Sequence, residues 1–187
     1  AQRQALLDYL GLLVKWNRVY NLTAVRDPLA MVVQHLLDSL AVVEPLQRRL
    51  GAAPARLLDV GSGAGLPGVV VAALLPQIDV TCVDAVGKKA SFVREVAGTL
   101  RLANLHAVHA RVESLEAPPF DVVTARAFAT LADLVALTRR HLEAGGVWMA
   151  MKGRVPADEI AALPADIDVF HVEPLAVPGL DAERCLV

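Results

Sequence analysis

The stretch Leu58-Asp59-Val60-Gly61-Ser62-Gly63-Ala64-Gly65-Leu66-Pro67-Gly68 decides how this chain is read. It starts at the end of a short apolar run and stops where a helical pattern opens. Glycines at such a junction permit a tight turn. They also let a ligand approach the backbone where helix N-terminal amides point outward. In an open parallel sheet a turn of this kind lies in the ligand crevice. Two ligand classes fit poorly. A dinucleotide fingerprint wants a third small residue at position 66, where Leu66 stands. No lysine followed by Ser or Thr completes a phosphate-binding P-loop.

Downstream of the loop, short apolar runs alternate with helical patterns. Strands are expected at residues 56–60, 78–83, 104–109, 120–125 and 146–151, and helices at 68–75, 88–102 and 131–142. Such alternation indicates an α/β, Rossmann-like architecture: a mostly parallel sheet with helices on both faces. Two further strand patterns, 168–173 and 183–187, have no helix between them and are expected to pair antiparallel at the sheet edge. Upstream, Leu6, Leu7, Leu10, Leu13 and Val14 recur at helical spacing. Asp27 before Pro28 is a helix-start signal, after which Leu29, Val32, Val33, Leu36, Leu37 and Leu40 continue one apolar face. Pro45 is expected to interrupt that helix, and Gly51-Ala52-Ala53-Pro54 reads as a linker. The expected organisation is an N-terminal helical extension, residues 1–50, joined to an α/β domain, residues 51–187, in one compact unit.

Composition excludes other classes. With 55% hydrophobic and 20% charged residues over 187 positions, the chain is built to pack a core. Eighteen Lys and Arg against twenty Asp and Glu leave a net charge of −2. That excludes a protein that coats nucleic acid by bulk electrostatics, though not a local basic patch. The longest nearly apolar stretch, residues 64–75, carries Gly and Pro. It falls short of the roughly 20 residues a bilayer span needs, so no membrane association is expected. The opening residues lack a charged n-region followed by an apolar h-region, so no secretory signal is expected there. Cys82 and Cys185 lie far apart without ligand spacing, so neither disulfides nor a metal site is expected, and a cytoplasmic location follows. Neither cysteine has a His at a spacing that suits covalent chemistry. His35, His106, His109, His141 and His171 are scattered and read as structural. The last strand pattern is expected to be unfinished at Val187.

The order Asp59-x-Gly-x-Gly-x-Gly resembles the first motif of class I S-adenosylmethionine-dependent methyltransferases. The next strand pattern leads into Asp84, where a carboxylate can hydrogen-bond ribose hydroxyls. A cofactor bearing a sulfonium and an ammonium suits acidic surroundings, for which Asp59, Asp84 and Glu113 are the candidates. Several segments in order are similar to one narrower family, the bacterial 16S ribosomal RNA guanine-N7 methyltransferases, also named glucose-inhibited division protein B. They are WNRVYNLTAVRDPLAMVVQHLLDSL (16–40), DVGSGAGLPG (59–68), VDAVGKKASFVREV (83–96), RVE (111–113), PPFDVVTARAFA (118–129), MKG (151–153) and LDAERCLV (180–187). The departures are mild. The family often has Ile where Val69 stands, and its chains usually run several residues past Val187.

This resemblance implies S-adenosyl-L-methionine as cofactor. It would be contacted by Gly61 and Leu66 in the loop, Val112 and Glu113 after the third strand, and Arg126 after the fourth. Gly63 and Gly65 belong to the same loop, and Asp84 is added on ribose grounds. The implied reaction is methylation of N7 of a guanine in 16S rRNA, with rRNA or the small ribosomal subunit as partner. N7 carries a lone pair and no proton, and a sulfonium methyl is already activated. Displacement therefore needs position more than a general base. Arg126, at a strand end beside the transferable methyl, is the catalytic candidate. Arg26, Lys88, Lys89, Arg111 and Lys152 are candidate RNA phosphate contacts near the pocket mouth. Asn21 and Thr23 either meet the ligand or form a turn. Trp16, Tyr20 and Phe128 either stack on a base or pack in the core. His35 and Asp38, one helical turn apart, read as a solvated helix face. A monomer is expected. Alternatives are a class I methyltransferase for another RNA, a protein or a small molecule, a nucleotide-cofactor oxidoreductase, and a noncatalytic RNA-binding protein.

Overall fold

A computed structural model describes residues 1–187. The N-terminal segment forms α1 (Gln2–Tyr20), α2 (Pro28–Met31), a π turn (Val32–Leu37), α3 (Asp38–Leu40) and α4 (Val43–Leu50). The rest alternates as the apolar patterns require: β1 (Ala55–Val60), α5 (Gly68–Leu74), β2 (Ile78–Asp84), α6 (Gly87–Thr99), β3 (Leu105–His109), β4 (Phe120–Arg126), α7 (Leu131–Thr138) and β5 (Leu142–Lys152). It closes with α8 (Ala157–Ala161), β6 (Glu173–Pro174) and β7 (Cys185–Leu186).

The seven strands lie in the order β3-β2-β1-β4-β5-β7-β6. Strands β1 to β5 pair in parallel, while β7 is antiparallel to β5, and β6 to β7. Their central members are buried on both faces, which is why β1, β2 and β4 read as near-continuous apolar runs. Chain order reverses between β1 and β4, so the crevice above their carboxyl ends is the switch point where open α/β sheets bind ligands.

The helix-start signal is realised: the Asp27 carboxylate accepts the Ala30 N–H at 2.8 Å, with Pro28 in the first turn. Leu6, Tyr9, Leu10 and Leu13 of α1 are buried in the same 30-residue core as the inner strands. The break in the second helical run comes at Ala41 and Val42, before α4. Pro45 itself sits in the first turn of α4, where its missing N–H has no helical partner to lose. The run Pro28–Leu50 is, by length and composition, long and apolar enough to cross a bilayer, with mean hydropathy 1.4. This run is longer than residues 64–75, the longest nearly apolar stretch expected from composition. Here Met31, Leu36, Val42 and Leu46 of this run face the protein core.

Three expectations shift at the far end. Helix α7 stops at Thr138, Arg139–His141 form a 3-10 turn, and β5 starts already at Leu142. A register irregularity against β4, between Phe120 and Val122, absorbs the extra residues around Gly145, whose φ is 81°. The strand expected at 168–173 shrinks to β6, because β7 offers only Cys185 and Leu186 as ladder partners.

Candidate active site

The glycine loop hangs from the end of β2. Gly61 N–H donates to Val83 O at 2.9 Å, and Ser62 N–H donates to the same oxygen at 3.3 Å. Gly61 and Gly63 hold φ of 63° and 59°, a region that favours glycine. Asp84 is 6% exposed and bridges two loops. Its Oδ2 accepts Gly63 N–H at 2.9 Å, and its Oδ1 accepts Val86 N–H at 2.8 Å. Gly65 serves packing: a Cβ there would stand 2.5 Å from Val69 Cγ2. From below, the Tyr9 hydroxyl donates to Ala64 O at 2.9 Å, and burial pushes that phenol's pKa far up.

Asp59 does not line a cofactor space. It is fully buried under the loop, where Oδ2 accepts Gly68 N–H at 2.8 Å and lies 3.9 Å from Cys82 Sγ. Its Oδ1 has no partner. Burial pushes its pKa up to about 7, against the pull of the Gly68 N–H and the Arg126 charge. The expectation of an acidic wall at Asp59 is corrected: its carboxylate braces the start of α5, because a strand residue two before the turn points into the sheet–helix layer.

A cavity of about 480 Å³ opens above β1 and β4, within the size range of small-molecule sites. The structure gathers Gly61, Gly63, Leu66, Lys89, Arg126 and Lys152 around it, together with Thr23, His35, Asp38 and Arg184. Other expected residues stand outside this lining. Asp84 shapes the loop from behind, and Gly65 turns inward. Val112 is buried and Glu113 exposed in the 3-10 turn Val112–Ser114 after β3, held there by His141 Nε2 at 2.9 Å from Val112 O. Arg26, Lys88 and Arg111 are exposed beyond the cavity. Arg26 closes the N-terminal turn through Asn17 O, at 3.2 Å, and Asn21 Oδ1. Lys152 is not a free cation: its Nζ meets Glu159 Oε2 at 2.7 Å and Ala129 O at 3.0 Å, tying down the segment after β4. A second, more apolar cavity of about 460 Å³ lies between α7, β5 and residues 163–173 and contains none of the expected site residues.

Of the aromatic candidates, Trp16 and Tyr20 pack against one another with centroids 5.1 Å apart, and Trp16 also packs on Phe92 at 5.5 Å. Phe128 alone reaches the loop. Its Cδ2 is 2.9 Å from where a Gly61 Cβ would stand.

The expectation of a solvated His35–Asp38 face is overturned. His35 is 8% and Asp38 2% exposed. His35 Nε2 lies 2.8 Å from Thr23 Oγ1, and burial first, then the Arg126 charge, lower its pKa. Asp38 Oδ2 accepts from Arg126 Nη1 at 3.0 Å, and its Oδ1 from Arg184 Nε at 2.7 Å. One signal was available in the sequence. A His and an Asp at this spacing sit in a run with too few polar residues to make a wet face. Arg184 carried no signal, since only packing of the chain's end brings it here.

The residues fit a small charged cofactor on two counts: the backbone of Gly61, Ser62 and Gly63 faces the cavity, and open space lies above Gly63. Asp84, expected at the ribose, instead spends both carboxylate oxygens on the Gly63 and Val86 amides.

The family model GidB, rRNA small subunit methyltransferase G, matches residues 2–187. The ribosomal RNA small subunit methyltransferase G of Leptothrix cholodnii is 67% identical over 186 residues, covering 100% of this chain and 85% of that protein. Among solved structures, TrmN from Thermus thermophilus is similar with a TM-score of 0.60 and 22% identity, over 78% of this chain and 47% of that one. Coclaurine N-methyltransferase, solved with N-methylheliamine and SAH, gives a TM-score of 0.52 at 18% identity, over 60% of this chain and 35% of that one. At such identities the structural likeness is one of fold.

Proposed function

Because the chain belongs to the GidB family, rRNA small subunit methyltransferase G, it is an S-adenosylmethionine-dependent rRNA methyltransferase, and we propose that it methylates N7 of a guanine in 16S rRNA. The observation that carries this reading is the coincidence of a match along the whole chain with a glycine loop that lines a cavity at the sheet's switch point.

The cofactor supplies an activated sulfonium methyl when bound. The chain supplies position. Gly61 and Gly63 present backbone without side chains, and Asp84 holds that backbone in shape. Leu66 packs beneath the loop at 2% exposure. Val112 and Glu113, in the turn after β3, would hold the adenine end of the cofactor. N7 has no proton to lose, so no general base is required. That agrees with a cavity in which His35 is buried and engaged with Thr23, and Asp38 is paired with two arginines. Arg126, at the end of β4, would contact the cofactor and orient the target guanine. Lys89, then Lys88, Arg111 and Arg26 further out, take RNA phosphates, while Lys152 holds the β4–α7 segment in place. The enzyme acts as a monomer on rRNA in the cytoplasm.

Purified protein, methyl-labelled S-adenosylmethionine and small-subunit rRNA or subunits, followed by mass-spectrometric mapping, test this reading. Label at N7 of a guanine is expected. Label at another atom refutes the N7 assignment. No transfer by a folded sample that binds S-adenosylhomocysteine in a calorimeter refutes the substrate.

A further inference from the structure

Asp38 is used more heavily than a helix residue in a core needs to be. Its two carboxylate oxygens each hold a different guanidinium, and those side chains come from positions 88 and 146 residues away. A buried carboxylate is unfavourable until paired, and one arginine suffices for that. The second leaves a net positive charge on the cavity wall. The arginines also keep donors in reserve. Arg126 spends only Nη1, on Asp38 and on Gln34 O at 2.9 Å, the latter presented by the π turn. Arg184 spends Nε on Asp38 and Nη1 on Glu183 O. Arg126 Nε and Nη2 and Arg184 Nη2 have no partner within the chain, and both side chains line the cavity at 22% and 26% exposure.

We propose that Asp38 is a positioning residue that clamps Arg126 and Arg184 as a pair, and that the pair receives an oxygen acceptor of the target nucleotide. This rests on the reading that the cavity admits an rRNA guanine. A rigid guanidinium fork suits an oxygen acceptor. Two oxygens qualify: the guanine O6 and the nucleotide's phosphate. O6 neighbours N7 on the same edge, where adenine carries an amino donor instead. A guanidinium N–H on O6 would select guanine and leave N7 free for the methyl.

The test uses the full chain with Asp38→Asn, Arg184→Gln and the double variant. Thermal melts, S-adenosylhomocysteine affinity, and kcat/KM on rRNA are measured for each. Arg184→Gln is expected to lower kcat/KM by about 30-fold, the loss of one charged hydrogen bond. Its cofactor affinity should stay within about threefold, since Arg184 has no part in the cofactor site proposed above. Asp38→Asn should lose at least as much activity. The double variant should match Asp38→Asn within about twofold, because residues acting as one unit are not additive. If Arg184→Gln also flattens the salt dependence of kcat/KM by a slope of about one, the oxygen is a phosphate; an unchanged slope assigns O6. Wild-type kcat/KM in Arg184→Gln overturns the proposal, as do losses that multiply in the double variant. Should Asp38→Asn fail to fold, Arg184→Gln alone decides. Wild-type protein that binds the cofactor product but methylates no rRNA refutes instead the function on which this rests.

Discussion

Gly61→Ala probes the glycine loop most directly. The new methyl meets two costs in the folded state. Gly61 holds φ of 63°, and a left-handed L-residue costs about 1–2 kcal/mol. Its Cβ would also stand 2.9 Å from Phe128 Cδ2 and 3.3 Å from Cε2, so the ring must give way. Overpacking of this kind costs about 1–3 kcal/mol, less when the neighbour can move, and Phe128 is only half-buried. The unfolded chain loses entropy on gaining a Cβ, which returns about 0.4–1 kcal/mol. The net is a destabilisation of about 1–3 kcal/mol, or a melting temperature lower by about 3–10 °C for a chain of this length. Circular-dichroism melts read that directly. Calorimetry with S-adenosylhomocysteine should show affinity reduced at least about tenfold, since left-handed strain and the crowded Phe128 ring shift backbone that lines the cavity. Phe128→Ala in the same background separates the two costs. It should recover part of the stability, by removing the clash, and only part of the affinity, since the left-handed strain at Gly61 remains. Wild-type cofactor affinity in Gly61→Ala would refute the assignment of this loop. Full recovery of affinity by Phe128→Ala would show that the ring, not the backbone strain, is the obstacle.

Three further outcomes follow from the same geometry. Asp84→Ala releases the Gly63 and Val86 amides; with two charge-assisted bonds gone, it should cost about 2–4 kcal/mol in urea unfolding and weaken cofactor binding. Unchanged values in both measurements would contradict the bridging role. Tyr9→Phe leaves the Ala64 carbonyl without its donor under the loop and should cost about 1–3 kcal/mol, which an unaltered melt would disprove. Asp59 titrates near 7 when folded, against 3.8 as its ordinary value. The folded state therefore holds the proton more tightly. Its favourable contribution is complete below pH 3.8, declines as pH rises toward about 7, and is flat above. Asp59→Asn carries no such titration, so its stability relative to wild type should rise between those limits. A constant difference between pH 5 and pH 8 would refute the burial of an ionisable Asp59.

The alternation of strands and helices, the N-cap at Asp27 and the glycine turn were legible without coordinates, because each depends on residues within one or two turns of chain. So was much of the cavity: Gly61, Gly63, Leu66, Arg126 and Lys152 project from carboxyl ends of strands or the turns after them, and Lys89 from the first turn of α6. The errors lie where a side chain had a choice of partners. Asp59 could face a ligand or the underside of α5, and the packing of α5 against the sheet chose the latter. Lys152 could reach RNA or Glu159, and α8 brought the carboxylate to 2.7 Å. The pattern of 168–173 suited a strand, but a strand exists only where a neighbour offers a ladder.

The layer architecture, the place of the ligand crevice and the family are written in local periodicity and contiguous motifs, and so can be read along the chain. Which charges meet depends on how distant segments fold together. Asp38, Arg126 and Arg184 lie on three segments that are strangers in sequence, and only the closing of the sheet at β4 and β7 over the π turn sets them within hydrogen-bond distance. Chain periodicity encodes which side of an element is buried, but not which polar groups share that burial, because a pairing across 146 residues leaves no local pattern.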